Sequence, residues 1–136
     1  MTKPPVEAQW YLPTNVSVFF NGSWITAIDF CSKQNAQIHV ITAWNPGSER
    51  PEMNENDVQN GKLRDELNAL GFEVLEALGS DPNSEHAEKS WAVIGLADQM
   101  ATDLGKRYGQ IAVFRITQSQ QAVLGCFSDW EVSRQI

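Results

Sequence analysis

Two asparagines on one predicted helix are the most informative polar residues of the sequence. Asn56 and Asn60 are four residues apart, and helical periodicity places them on the same face as Leu63 and Leu67, which form the buried stripe. A carboxamide that faces inward must find hydrogen-bond partners, because an unsatisfied one costs about 1–3 kcal/mol. Either other groups of the protein or a bound ligand must supply those partners.

A second group of polar residues follows the strand predicted over Ile38–Asn45. This stretch is apolar on both faces, which is typical of a central strand, and it leads through loop 46–51 into the helix with the asparagines. We therefore expect Trp44 and the carboxamides of Asn56 and Asn60 to border one cavity at the strand end. The indole would stack on a flat polar ligand such as a nucleobase, and the amides would hydrogen-bond to its edge.

The sequence predicts neither a phosphate cradle nor a metal site. Three acidic residues between positions 52 and 57 disfavour an anion at the start of the helix, where helix N-termini otherwise bind anions. The loop that starts at Asp81 has the initial spacing of a calcium loop, but His86 stands where glycine is required and Ala92 where the bidentate glutamate belongs. Closely spaced Cys or His ligands for zinc are missing. We expect no metal and no cofactor.

The same loop contains the best candidate for acid–base chemistry. Glu88 lies two residues after His86, and together they would form a carboxylate–imidazole pair. The alternative is that both are solvated loop charges. His39, at the start of a strand, is expected to be structural.

Composition limits the classes of protein that this chain can represent. A formal charge of −7 over 136 residues disfavours a nucleic-acid partner or an anionic membrane surface. No apolar run approaches the roughly 20 residues that span a bilayer, and the N-terminus lacks the pattern of a secretory signal. We expect a single cytoplasmic domain over 1–136, with 1–13 as a loose N-terminal arm, and with Cys31 and Cys126 as reduced thiols.

Local signals predict an α+β fold. The Asn21-Gly22 pair predicts a tight hairpin between two strands. One helix begins with Asn54 as its cap and ends at Gly71, and a second covers about Asp98–Tyr108. The predicted strands are Val16–Phe20, Trp24–Phe30, Ile38–Asn45, Phe72–Leu78, Ser90–Leu96, Ile111–Ile116 and Ala122–Phe127, with a polar loop over Gly79–Lys89. This order predicts a mixed or mostly antiparallel sheet with two helices packed on one face.

The sequence also resembles a bacterial group, domain-of-unknown-function family 3293. The segments that carry the resemblance are Ile41–Ser48, the pair Asn56 and Asn60, Gly79–Pro82, Glu88 with Ser90–Leu96, and Tyr108–Gln110 followed by Ile111–Phe114. The resemblance implies no activity, because the family has none to carry over. It implies that seven residues belong to one constellation: Thr42, Trp44, Asn45, Asn56, Asn60, Glu88 and Gln110.

Three interpretations of this constellation follow. In the first, it forms a pocket for a small polar or nucleotide-like ligand at the Thr42–Asn45 strand end, with Gln110 on its rim. In the second, it is the site of a small hydrolase-like enzyme in which Glu88 is the general acid or base. In the third, it is an internal network of a structural or interaction domain.

Overall fold

The computed structural model describes residues 3–45 and 52–135, so the loop predicted over 46–51 lies outside the described residues. The described part contains four helices and eight strands. In chain order they are α1 (Ala8–Tyr11), β1 (Asn15–Phe20), β2 (Ser23–Thr26), α2 (Ala27–Gln34), β3 (Ile38–Ile41), α3 (Met53–Ala69), β4 (Glu73–Ser80), β5 (Ala87–Ile94), α4 (Asp98–Arg107), β6 (Ala112–Ile116), β7 (Gln120–Gly125) and β8 (Glu131–Gln135).

All eight described strands form one sheet in the order β2-β1-β4-β5-β3-β6-β7-β8, and every pairing between them is antiparallel. The sheet is curled. The carbonyl of Thr14, directly before β1, accepts hydrogen bonds from Gln121 Nε2 at 2.8 Å and from Arg134 Nη2 at 3.2 Å, although β7 and β8 lie at the far end of the strand order. The α+β class and the antiparallel sheet are confirmed.

The hairpin at Asn21-Gly22 is confirmed, but the strand predicted over Trp24–Phe30 is wrong beyond Thr26. Both turn residues have positive φ angles, 52° and 81°. After Thr26 the chain enters α2, because the Thr26 hydroxyl accepts a hydrogen bond from the backbone N–H of Asp29 and caps the helix. The aromatic and β-branched residues of this stretch favour a strand, but the Thr26 cap stabilises the helix that forms instead.

Four other features also differ from the prediction. Strand β3 ends at Ile41, and the polar loop shortens to 81–86 because β4 and β5 extend into it. Asn54 does not cap α3; the cap position is Glu52, and Asn54 lies inside the first turn. Strand β8 was not predicted.

The two faces of the sheet contact different helices. Directly paired residues of antiparallel strands lie on the same face, so Val40, Ala92 and Phe114 share one face. We call it the cavity face; one core cluster on it includes Ala27, Phe30 and Cys31 of α2. The cluster that contains Ile41 and Val93 includes residues of α3 and α4, namely Leu63, Leu67, Ala101 and Leu104. Ala8 of α1 is fully buried in a third cluster, with Val123 and Trp130.

His39 is buried in a charged network at the start of α4. Its Nε2 lies 2.6 Å from Asp98 Oδ1, and Arg115 bridges Asp98 and Glu131 at 2.8 Å each. Burial lowers the pKa of His39 below its ordinary value of 6.5, although the hydrogen bond to Asp98 partly offsets this. Burial also raises the pKa of Asp98, but the hydrogen bond from His39 and the charge of Arg115 outweigh it, so the pKa lies below 3.8.

Mild acid is therefore expected to destabilise the protein through His39. Below about pH 6.5 the unfolded chain binds a proton that the native imidazole resists, so stability is fully present above that pH and is lost as pH falls. One such group contributes at most about 1.4 kcal/mol per pH unit. Urea unfolding at about pH 8 and about pH 5.5 measures the loss, and His39→Gln should remove the part of it that is due to this residue.

The comparison of His39→Gln with the wild type over this pH range decides the prediction. If His39→Gln and the wild type lose the same stability on acidification, His39 is not the group that titrates.

Candidate functional site

Two asparagines of α3 hold the backbone beyond β3, which we call the Thr42–Asn45 segment. Asn60 Oδ1 accepts the backbone N–H of Ala43 at 3.0 Å, and Asn56 Oδ1 accepts that of Asn45 at 3.0 Å. Four helical residues advance about 6 Å and two extended residues advance about 6.6 Å, so an i, i+4 pair matches alternate N–H groups. The asparagines therefore bind the segment as a neighbouring strand would.

The other ends of both carboxamides are also bonded within the protein. Asn56 Nδ2 donates to Asn45 Oδ1 at 2.9 Å, and Asn60 Nδ2 donates to the carbonyl of Lys89 at 3.1 Å. The Thr42 hydroxyl donates to the same carbonyl at 2.6 Å. The segment is thus tied to α3 on one side and to β5 on the other.

Gln110 and Lys89 contact Trp44. Gln110 Nε2 donates to the Trp44 carbonyl at 3.2 Å, and Lys89 Nζ lies 5.6 Å from the centroid of the indole. Trp44 is only 8% exposed. Its ring is therefore covered, with a cation beside it.

A cavity of about 590 Å³ lies on the cavity face of the sheet, and we call it the sheet-end cavity. The N-terminal segment Gln9–Thr14 contributes five lining residues, and Gly79–Asn83 of the β4–β5 hairpin contributes five more. The remaining lining residues come from one end of the sheet and its neighbours: Val40, Thr42, His86, Glu88, Ser90, Gln110, Ala112 and Phe114.

The structure divides the seven predicted residues into two sets. Thr42, Glu88 and Gln110 line the sheet-end cavity. The other four, all within the described residues, do not line it: Trp44, Asn45, Asn56 and Asn60. Thr42 and Gln110 connect the two sets, because both also hydrogen-bond to the backbone around Trp44.

The cavity wall contains a carboxylate–imidazole pair. His86 Nε2 lies 2.8 Å from Glu88 Oε2, and both side chains are about one-third exposed. The turn of the hairpin positions His86: its backbone N–H donates to Ser84 Oγ, and its carbonyl accepts from the N–H of Asp81. Asp81 in turn accepts hydrogen bonds from Asn83 and Ser84. The loop predicted as merely polar is therefore an ordered support for this pair.

Sequence reasoning missed several lining residues. Side chains alternate along a strand, so Ser90 lies on the same face as Glu88. A predicted strand that began at Ala87 instead of Ser90 would have indicated Ser90 as a lining residue. Trp10 and Tyr11 had no such signal, because they lie in the stretch expected to be a loose arm. Only the tertiary structure places α1 beside the hairpin.

The charges of the site are acidic. Asp81 and Glu88 are the only carboxylates among the described lining residues, and none of those residues is a lysine or arginine. Among residues 3–45 and 52–135, no three His, Cys, Asp or Glu side chains are grouped so that they could hold a metal ion.

Neither cysteine is an activated nucleophile. Cys31 and Cys126 are both free. Burial raises the pKa of the Cys31 thiol to about 11 and that of the Cys126 thiol to about 12. Both are protonated at neutral pH, whereas the reactive form of a cysteine is the thiolate.

A family model matches the chain over residues 41–113, and its description is DUF3293, a protein of unknown function. The match covers more than half of the 136 residues. The chain belongs to the DUF3293 family. No curated protein and no solved structure matches the chain.

The DUF3293 match begins inside β3 and ends inside β6. It therefore includes both asparagines of α3, Glu88 and Gln110, and it excludes the Gln9–Thr14 segment that borders the cavity. In the part of the chain that the structure describes, no helix has the length and apolar character needed to cross a membrane.

Proposed function

We propose that the sheet-end cavity binds a small polar ligand. The observation that carries this proposal is that Thr42, Glu88 and Gln110, which are far apart in the chain, line one cavity of about 590 Å³. Pockets for small molecules commonly measure about 300–1,000 Å³ and combine apolar walls with a few polar groups. Val40, Phe114 and other apolar residues supply such walls here.

The asparagine pair would act by positioning. Asn56 and Asn60 hold the Thr42–Asn45 segment, and Gln110 is anchored to the carbonyl of Trp44 in that segment. The cavity wall at Thr42 and Gln110 therefore depends on α3, although α3 does not line the cavity. A pocket whose wall is fixed before binding loses less conformational entropy when its ligand arrives.

Aromatic side chains favour a planar ligand. Trp10 is 67% exposed although it lines the cavity, and Tyr11 and Phe114 line it as well. Stacking of a base on an aromatic ring contributes about 1–3 kcal/mol. Without a lysine or arginine among the described lining residues, a nucleotide-like ligand would be held by its base and not by its phosphate.

The His86–Glu88 contact favours a second candidate function, a hydrolase-like activity. A carboxylate at 2.8 Å from an imidazole can orient the ring or take a proton from a bound water. In this interpretation Glu88 is the general acid or base that acts on a ligand already bound in the cavity. It thus requires the binding site as well.

A thermal-shift screen of nucleobases, nucleosides and small amines is expected to identify a ligand. A ligand at 100 times its dissociation constant stabilises the native state by about 2.7 kcal/mol. Glu88→Gln should weaken the binding of that ligand at least tenfold, because it removes the negative charge of the Glu88 side chain from the cavity wall. Chromatography of the incubated ligand distinguishes the two functions: product that forms with wild type and not with Glu88→Gln favours the enzyme.

Glu76→Gln is the matched control, since Glu76 is an exposed glutamate of β4 that does not line the cavity. It should bind the ligand as the wild type does. Equal affinity of Glu88→Gln and wild type would mean that Glu88 does not contact the ligand, and a screen in which no compound shifts the melting temperature would contradict the proposal.

A further inference from the structure

We infer that the ligand of the sheet-end cavity carries a planar cation, such as an amidinium or a guanidinium. This inference rests on the proposed function, which it narrows to one class of ligand. Three independent features of the cavity wall support it: its charge, the hydrogen-bonding roles left open, and its aromatic surface.

The charge of the described wall is negative. Glu88 and Asp81 line the cavity, and no lysine or arginine among the described residues does so. The His86 imidazole contacts Oε2 of Glu88, so Oε1 is the oxygen left for a ligand. An anion would meet these carboxylates without a lysine or arginine in the described wall, whereas a cation would gain charge-assisted hydrogen bonds.

Three polar side chains at the sheet end of the wall, those of Gln110, Ser90 and Thr42, use their donors within the protein. The Gln110 amide group donates to the carbonyls of Trp44 and Tyr108, and the Ser90 hydroxyl donates to the carbonyl of Glu88. The Thr42 hydroxyl donates to the carbonyl of Lys89. What these side chains have left are acceptors, above all the carbonyl oxygen of Gln110, a residue only 8% exposed. A ligand that pairs with the side-chain oxygen of Gln110 and with the carboxylate of Glu88 must itself bring N–H donors.

The aromatic surface of the cavity favours a ligand whose N–H donors belong to a planar cation. The rings of Trp10 and Phe114 line the same cavity as Glu88. A cation over an aromatic face is attracted by the negative face of the ring, and a planar cation also stacks on it. A guanidinium or amidinium would satisfy the acceptors at its edge and the rings at its face.

Three probes of one shape test the inference: benzamidine, benzamide and benzoate, which are a cation, a neutral amide and an anion. We expect benzamidine to bind at least ten times more tightly than benzamide, and benzoate not to bind, in titrations followed by the amide signals of Glu88 and Gln110 in NMR spectra. Glu88→Gln should lower the affinity for benzamidine at least tenfold, and the control Glu76→Gln should leave that affinity unchanged.

The outcomes separate this inference from the proposed function. If benzamide or benzoate binds as tightly as benzamidine and shifts the same signals, the cavity binds ligands but the cationic class is wrong. Benzamidine that binds Glu88→Gln as it binds wild type would also overturn the class. If none of the three probes binds and the wider screen finds no ligand, both this inference and the proposed function are wrong.

Discussion

Asn60→Leu is expected to lower the free energy of unfolding by about 1–3 kcal/mol. Leucine has the branching pattern of asparagine, with methyl groups in place of the amide oxygen and nitrogen, so the substitution removes both hydrogen-bonding groups. The backbone N–H of Ala43, however, loses the acceptor that it has at 3.0 Å, and the Lys89 carbonyl loses one of its two side-chain donors. The buried N–H is then left without a partner in an environment that water does not reach.

Urea unfolding measures this loss, and Asn68→Leu is the matched control because Asn68 is an exposed asparagine of the same helix. The control should change stability by less than about 0.5 kcal/mol. A variant of Asn60 that is as stable as the wild type, or more stable, would mean that Asn60 does not hold the segment. Polar groups retained for function at the expense of stability behave in that way.

Gly105→Ala is expected to destabilise the protein by about 1–3 kcal/mol, although alanine is the better helix former. A Cβ added at Gly105 would lie 2.7 Å from Cys126 Sγ and 2.7 Å from Val113 Cγ1. Real contacts of a Cβ are longer, so α4 must move away from β6 or the two side chains must shift. Val113 is buried in a strand and β-branched, so its side chain has little freedom to move.

Gly61→Ala is the control for this prediction, since Gly61 is also a glycine inside a helix. A Cβ at Gly61 would meet only Arg64 Nη2, at 3.9 Å. This variant should be more stable than the wild type by about 0.5–1 kcal/mol, which is the difference in helix propensity between alanine and glycine. Thermal or urea unfolding of the two variants should therefore give changes of opposite sign. An increase in stability for both would contradict the close packing of α4 against β6.

Structural features that depend on residues close together in the sequence could be predicted. Asn21-Gly22 forms the predicted tight turn because both residues readily adopt positive φ angles. Helices α3 and α4 lie where the apolar spacing and Gly71 placed them, to within two residues of the predicted ends. The segment of α2 shows the limit, because its aromatic and β-branched residues favour a strand while Thr26 caps a helix.

The candidate site could be predicted only in part, and the reason lies in the hydrogen bonds. Periodicity showed that Asn56 and Asn60 face inward, and both are buried. Periodicity does not show which groups a buried carboxamide contacts. Those partners are backbone groups of Ala43, Asn45 and Lys89 and the side-chain oxygen of Asn45.

The sequence by itself determined the acidic charge, the α+β class, the membership of DUF3293 and the inward-facing asparagines, since each depends on composition or on residues close together in the chain. Only the tertiary structure decided which of the polar residues share a cavity. The curl of the antiparallel sheet brings Gln9–Thr14, the β4–β5 hairpin and Gln110 to one end, and these lie up to about one hundred residues apart. Contacts at such separations depend on strand order and register, which local patterns do not encode.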